Sequence, residues 1–139
     1  MKYTQTEAQT QIQVADYLKY QYPSILFHSD FGSGVKLTMA QAAKQKRQNG
    51  GRRAWPDLFV AAPKYYVKSR RIQYLGLFVE LKREGVRIKK KDGTYANDHV
   101  QEQAEVLNQL RYVGYKAEFA VGFDEAKKII DDYLGATNG

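Results

Sequence analysis

Three charged side chains stand where apolar strands are expected. Trp55-Pro56-Asp57-Leu58 opens one apolar run, and Val79-Glu80-Leu81-Lys82 closes another. Withdrawing a charge from water is costly unless it is paired or ligates a cation, so charges embedded in strands call for a function. Side chains alternate along a strand, which puts Glu80 and Lys82 on one face and turns Leu81 into the core. Asp57 heads the neighbouring strand, and its carboxylate reaches the same ground. Two carboxylates plus the Leu81 carbonyl make the hard oxygen set that Mg²⁺ takes at about 2.1 Å, with waters completing the octahedron. A cation there would polarise a phosphodiester and activate an attacking water. Lys82 beside it would orient or deprotonate that water and offset phosphate charge. The competing reading makes Glu80 and Lys82 an ion pair on an edge strand, with Asp57 capping a turn.

The charge distribution points the same way. The net charge is +7, yet Lys44 to Lys91 holds 15 basic residues against three acidic ones, while the rest holds 7 against 12. Two of those three acids are Asp57 and Glu80. A basic zone around isolated carboxylates suits a polyanion approaching a metal, although a lysine-rich stretch alone is more often a solvated surface. The candidate phosphate contacts are Arg52 and Arg53 before the Pro-Asp pair, Lys68, Arg70 and Arg71 on a hairpin, and Arg83, Arg87, Lys89, Lys90 and Lys91 after the Glu-x-Lys strand. Contacts of this kind position nucleic acid without reading its sequence. His28 and His99 read as surface or capping residues. Tyr65, Tyr66 and Tyr74 read as sheet residues, with base stacking as the alternative.

The 139 residues fit one domain, with a core over about 4–134 and a tail at 135–139. With no cysteine there is no disulfide framework, thiolate zinc site or cysteine nucleophile. The start of the chain is polar, without the apolar segment of a signal peptide, and no run is long enough for a bilayer span. The expectation is a cytoplasmic protein with no membrane contact and no small-molecule cofactor.

The elements that must position these residues follow from periodicity. A helix is expected over Thr4–Tyr20, with Ile12, Val14, Ala15 and Leu18 as its stripe and Thr4 or Thr6 as its cap. Ile25–Phe31 reads as a strand and Asp30–Gly34 as a loop. Leu37–Gln48 has helical propensity but is polar and basic, and Gly50-Gly51 ends it. Asp57–Ala62 is a strand apolar on both faces, hence central. Lys64–Arg71 is a hairpin connection and Gln73–Lys82 the next strand. Gly85–Asn97 is a loop with a tight turn at Asp92-Gly93. A helix over Asp98–Tyr112, capped by Asp98 and stopped near Gly114, carries Val100, Ala104, Leu107 and Leu110 or Arg111 on one side. A strand over Lys116–Val121 and a helix over Asp124–Leu134 close the chain. The class is α/β with a mixed sheet, in the order αβββαβ plus a C-terminal helix.

Taken in order and spacing, Glu7-Ala8-Gln9, Pro56-Asp57-Leu58, Phe78-Val79-Glu80-Leu81-Lys82 and Gln103-x-x-x-Leu107-x-x-Leu110-x-x-x-Gly114-Tyr115 resemble the VRR-NUC domain of the PD-(D/E)xK nuclease superfamily. The resemblance runs from about Thr4 to Leu134. It implies a restriction-endonuclease-like core, Mg²⁺ or Mn²⁺ as the metal, and structured DNA as the substrate. Stand-alone bacterial and phage members resemble homodimeric Holliday-junction resolvases. By the same resemblance Asp57 and Glu80 are metal ligands and Lys82 is the catalytic lysine. Gln103, or the nearby Gln101, positions water or phosphate, and Glu7 completes the acidic cluster. Ala54-Trp55 departs from the family, which often has glycine there. The expectation is a metal-dependent, structure-selective endonuclease cutting Holliday junctions or other branched DNA to leave a 5′-phosphate. A two-fold dimer would match the two scissile strands of a four-way junction. The rivals are a non-catalytic nucleic-acid-binding module and a sequence-specific restriction-type nuclease on the same fold.

Overall fold

In the computed structural model, which describes residues 5–30, 37–52 and 54–135, the chain runs α1 (Glu7–Gln21), β1 (Phe27–Ser29), α2 (Met39–Gln48), β2 (Leu58–Val60), β3 (Lys64–Tyr65), β4 (Ile72–Tyr74), β5 (Leu77–Lys82), α3 (Asp98–Tyr112), β6 (Lys116–Val121) and α4 (Gly122–Leu134). The main sheet has the order β1-β2-β5-β6. Its first two pairings are antiparallel and β5–β6 is parallel. Read through that sheet, the order is the expected αβββαβ with a closing helix. Helix α2 and the β3–β4 hairpin are insertions.

Helix α1 starts at a capping box: the Thr6 hydroxyl accepts from the Gln9 amide at 3.1 Å, and the Gln9 side chain accepts from the Thr6 amide at 2.9 Å. The cap is therefore Thr6; Thr4 lies outside the described residues. The expected stripe needs one correction, because Ile12 is 62% exposed. At 3.6 residues per turn Ile12 sits about 160° around the helix from Val14. The buried line is Thr10, Val14 and Leu18, four residues apart. Thr10 fits there because its hydroxyl donates to the Thr6 carbonyl at 3.1 Å.

The strand expected over Gln73–Lys82 divides into β4 and β5 at Leu75-Gly76. A Cβ at Gly76 would lie 3.0 Å from a Phe59 ring carbon and 3.2 Å from the Val60 carbonyl. The Leu75 amide donates to the Gly114 carbonyl at 2.9 Å, and the Lys116 amide to the Gly76 carbonyl at 3.0 Å. The chain thus leaves the β3–β4 ladder and enters the main sheet where only a glycine backbone fits. Helix α3 also differs at its start. Its cap is Asn97, whose side chain accepts from the Val100 amide at 2.9 Å, and Asp98 occupies the first turn, where the helix dipole favours it. The turn at Asp92-Gly93 forms as expected, with Gly93 at φ +88°.

Both faces of β5 are covered. Leu77, Val79 and Leu81 join Leu58 and Val60 against Val14 and Leu18 of α1 and Ala126, Ile130 and Tyr133 of α4. On the other face Phe78, Ala117 and Phe119 pack on Val106, Leu107 and Leu110 of α3. Phe59 stacks on Phe78 with ring centres 4.6 Å apart. Among the described residues, no helix is long and apolar enough to cross a membrane.

Candidate metal centre

The register of β2 against β5 places the chemistry. Leu58 pairs with Val79, so one step further Asp57 lies opposite Glu80 on the face that Phe59 and Phe78 share. Asp57 Oδ2 accepts from the Leu81 amide at 3.0 Å, which gives that donor a partner where β2 has ended. Glu7, in the first turn of α1, brings the third carboxylate. One oxygen from each of Glu7, Asp57 and Glu80 lies within 4.8 Å of the others. Lys82 Nζ stands 3.9 Å from Oε1 of both Glu7 and Glu80. From α3, Gln103 Nε2 donates to Glu80 Oε1 at 2.8 Å.

The electrostatics of this group are unfavourable without a further cation. Burial pushes the Glu80 carboxyl well above the ordinary range, and the Asp57 charge pushes it further, while Lys82 opposes both. Burial raises Asp57 as well, against the hydrogen bonds that favour its charged form. Buried carboxylates this close resist ionising together. The Glu80 and Asp57 carboxyls share a hydrogen bond when one of them holds a proton, and Gln103 Oε1 is buried with no hydrogen-bond partner. A divalent cation held by Glu7, Asp57 and Glu80 would supply the missing positive charge and let the three carboxylates ionise together. The donor set is all oxygen, which suits a hard cation and not a thiophilic one.

The structure brings together Glu7, Asp57, Glu80, Lys82 and Gln103. Gln101 is exposed, so the helix glutamine that meets Glu80 is Gln103. The contact made by Leu81 is through its amide. The basic residues are dispersed. Arg52 lines a cleft of about 650 Å³ that opens onto Asp57, Glu80 and Gln103. Arg83 follows Lys82 directly, and Arg87, Lys89, Lys90 and Lys91 continue along an exposed loop in which the Lys89 ammonium lies 5.4 Å from the Tyr95 ring centre. Lys68, Arg70 and Arg71 belong to the β3–β4 hairpin, which joins β2 and β5 at their Val60–Leu77 end, opposite the acids. Arg53 lies outside the described residues.

Three residues at the site escaped the sequence reading. His99 stands one turn before Gln103, with its Nε2 3.2 Å from Gln103 Nε2; the four-residue spacing on one helix was the available signal. Trp55 and Lys46 also line the cleft. The β1–β2 connection carries both, and it departs and returns at the acidic end, as the Asp30 amide donating to the Asp57 carbonyl at 2.7 Å shows.

A solved structure described as a VRR_NUC domain protein superposes on this chain with a TM-score of 0.66 at 27% sequence identity, covering 96% of this chain and 91% of that one. The chain has the VRR-NUC fold. No protein-family model matches the sequence, and none of the curated proteins does. The resemblance read from short motifs and the expected fold class therefore hold in three dimensions. The VRR-NUC likeness suggests a nuclease domain, and its acidic cluster is one that can hold a divalent metal.

Proposed function

We propose that this protein is a divalent-metal-dependent DNA endonuclease that cuts branched DNA, four-way junctions foremost, as a homodimer. The observation that carries the reading is the convergence of Glu7, Asp57 and Glu80 oxygens within 4.8 Å, beside Lys82. Asp57, Glu80 and Glu7, with the Leu81 carbonyl, would hold Mg²⁺ or Mn²⁺. When bound, that ion supplies Lewis-acid polarisation of the phosphate and a water of lowered pKa. Lys82 offsets negative charge at the reacting phosphate and orients the nucleophile. Gln103 holds Glu80 in place through Nε2 and presents Oε1 to water or phosphate. Hydrolysis leaves a 5′-phosphate. Arg52 and the Arg83–Lys91 loop flank the scissile region, and Lys68, Arg70 and Arg71 take a more distant arm of the same DNA. Selectivity for branches is supported by this dispersal, since contacts at both ends of the sheet suit a ligand with more than one arm.

The test is a gel assay on four-way junction, flap, splayed arm and plain duplex, each with and without Mn²⁺. Metal-dependent cleavage of branched substrates, with plain duplex spared, is the expected result. Binding without products would leave a non-catalytic module, and cleavage of linear duplex at one sequence would mark a restriction-type enzyme. Metal-dependent cutting by a purified Glu80→Ala protein would refute the site.

A further inference from the structure

The cleft that opens onto the acids also carries apolar lining that the hydrolytic chemistry does not use. Trp55, two residues before Asp57, packs against Phe78 with ring centres 6.0 Å apart and a tilt of 57°. Phe78 is in turn held by Phe59 and by Tyr115, whose ring centre is 5.1 Å away. Phe78 thus braces the indole in a tilted contact, yet 42% of Trp55 remains exposed. Met39, Ala42 and Ala43 of α2 share the lining of this cleft, together with the cations Lys46 and Arg52. Helix α2 buries none of its residues, and Met39 is 92% exposed. Among the described residues its apolar side is buried in no core, and it lines the cleft.

We propose that Trp55 is the stacking platform for an unpaired nucleobase next to the scissile phosphodiester, an inference that rests on the nuclease reading. A braced, half-exposed indole, apolar walls, two cations and a phosphodiester-cleaving centre in one cleft fit a nucleotide whose base lies on the ring and whose phosphates meet Lys46 and Arg52. Inside a continuous duplex a paired base offers its edge and hides its faces in the stack, so only a base that is unpaired or left unstacked at a branch can lie on the ring. Stacking is tolerant of base identity, because every base has a π-face. The platform would therefore select for unpaired nucleotides at a branch without selecting sequence.

Trp55 is the chain's single tryptophan, so its emission reports the contact directly. The native protein, in Ca²⁺, is titrated with a short unpaired oligothymidine and, at equal phosphate concentration, with a long duplex whose ends are scarce, while filter binding of labelled DNA follows the complex. The unpaired strand should quench the emission to saturation, and the duplex should bind and leave it unchanged. Trp55→Ala should weaken binding of the unpaired strand about tenfold and spare the duplex, with Trp55→Phe recovering most of the loss. Equal quenching by both DNAs, or equal weakening of both by Trp55→Ala, overturns the platform. If the protein still cuts branched DNA with Mn²⁺ in that case, the nuclease reading survives and the platform alone falls. If the native protein neither binds nor cuts any DNA, both fall.

Discussion

The two faces of β5 are built from the same six residues under opposite rules. Leu77, Val79 and Leu81 enter a fully apolar cluster with α1 and α4. On the other face Glu80 and Lys82 are also buried but meet carboxylates and an amide side chain at the edge of an open cleft. The first face gains stability from each methylene it hides. The second gives stability up, because its carboxylates are raised by burial and by one another. Function has been placed where the strand can least afford charge, and the opposite face compensates.

The sharpest break between the faces comes from Glu80→Gln, which keeps the shape and removes the charge. Cleavage should fall about a thousandfold, the several kcal/mol of Lewis-acid stabilisation expressed as a rate. The metal-free melting midpoint should stay level or rise. A cooperative loss of structure in this variant, seen by circular dichroism, would mean that the acidic face is structural after all. Ile130→Ala, on the apolar side, should do the reverse. Denaturant titration should show a loss of roughly 2–5 kcal/mol, while cleavage per folded molecule is unchanged.

Metal should act on one face alone. At a free concentration a hundredfold above its dissociation constant, Mn²⁺ should stabilise the native protein by about 2.7 kcal/mol, read by calorimetry. It should do little for Glu80→Gln.

A smaller effect follows from pH. Glu80 and Asp57 are raised in the folded state above their usual 4.5 and 3.8, so the folded protein holds these protons more tightly than the unfolded chain. Their contribution is full below those ordinary values and is lost as pH rises through the folded pKa values. Unfolding of the metal-free protein should therefore be harder near about pH 5 than near about pH 8. Glu80→Gln should flatten that slope, and a slope of the opposite sign would show that the pair is not desolvated as described.

Much of this was legible in the residue order. Alternation in Val79-Glu80-Leu81-Lys82 put Glu80 and Lys82 together, and the apolar runs, the Asp92-Gly93 turn and the last two helices formed close to where they were expected. The misreadings have physical causes. The strand over Gln73–Lys82 looked continuous because its apolar pattern is continuous; the break at Gly76 depends on a Phe59 ring that comes from another strand. Ile12 is apolar but stands at the wrong angle on α1, and Thr10 takes the inward place through a hydrogen bond to its own helix. His99 looked isolated because its partner, Gln103, gains meaning only once it is bonded to Glu80.

Local chemistry and spacing thus fixed the identity of the charged set and the faces its members occupy, since a strand's two-residue period is a property of the backbone. Bringing Glu7 to Asp57 and Glu80, and folding Trp55 and α2 over them as a cleft wall, required strand order and register. Those follow from contacts across the whole chain, and no local pattern encodes which end of the sheet a long connection will visit.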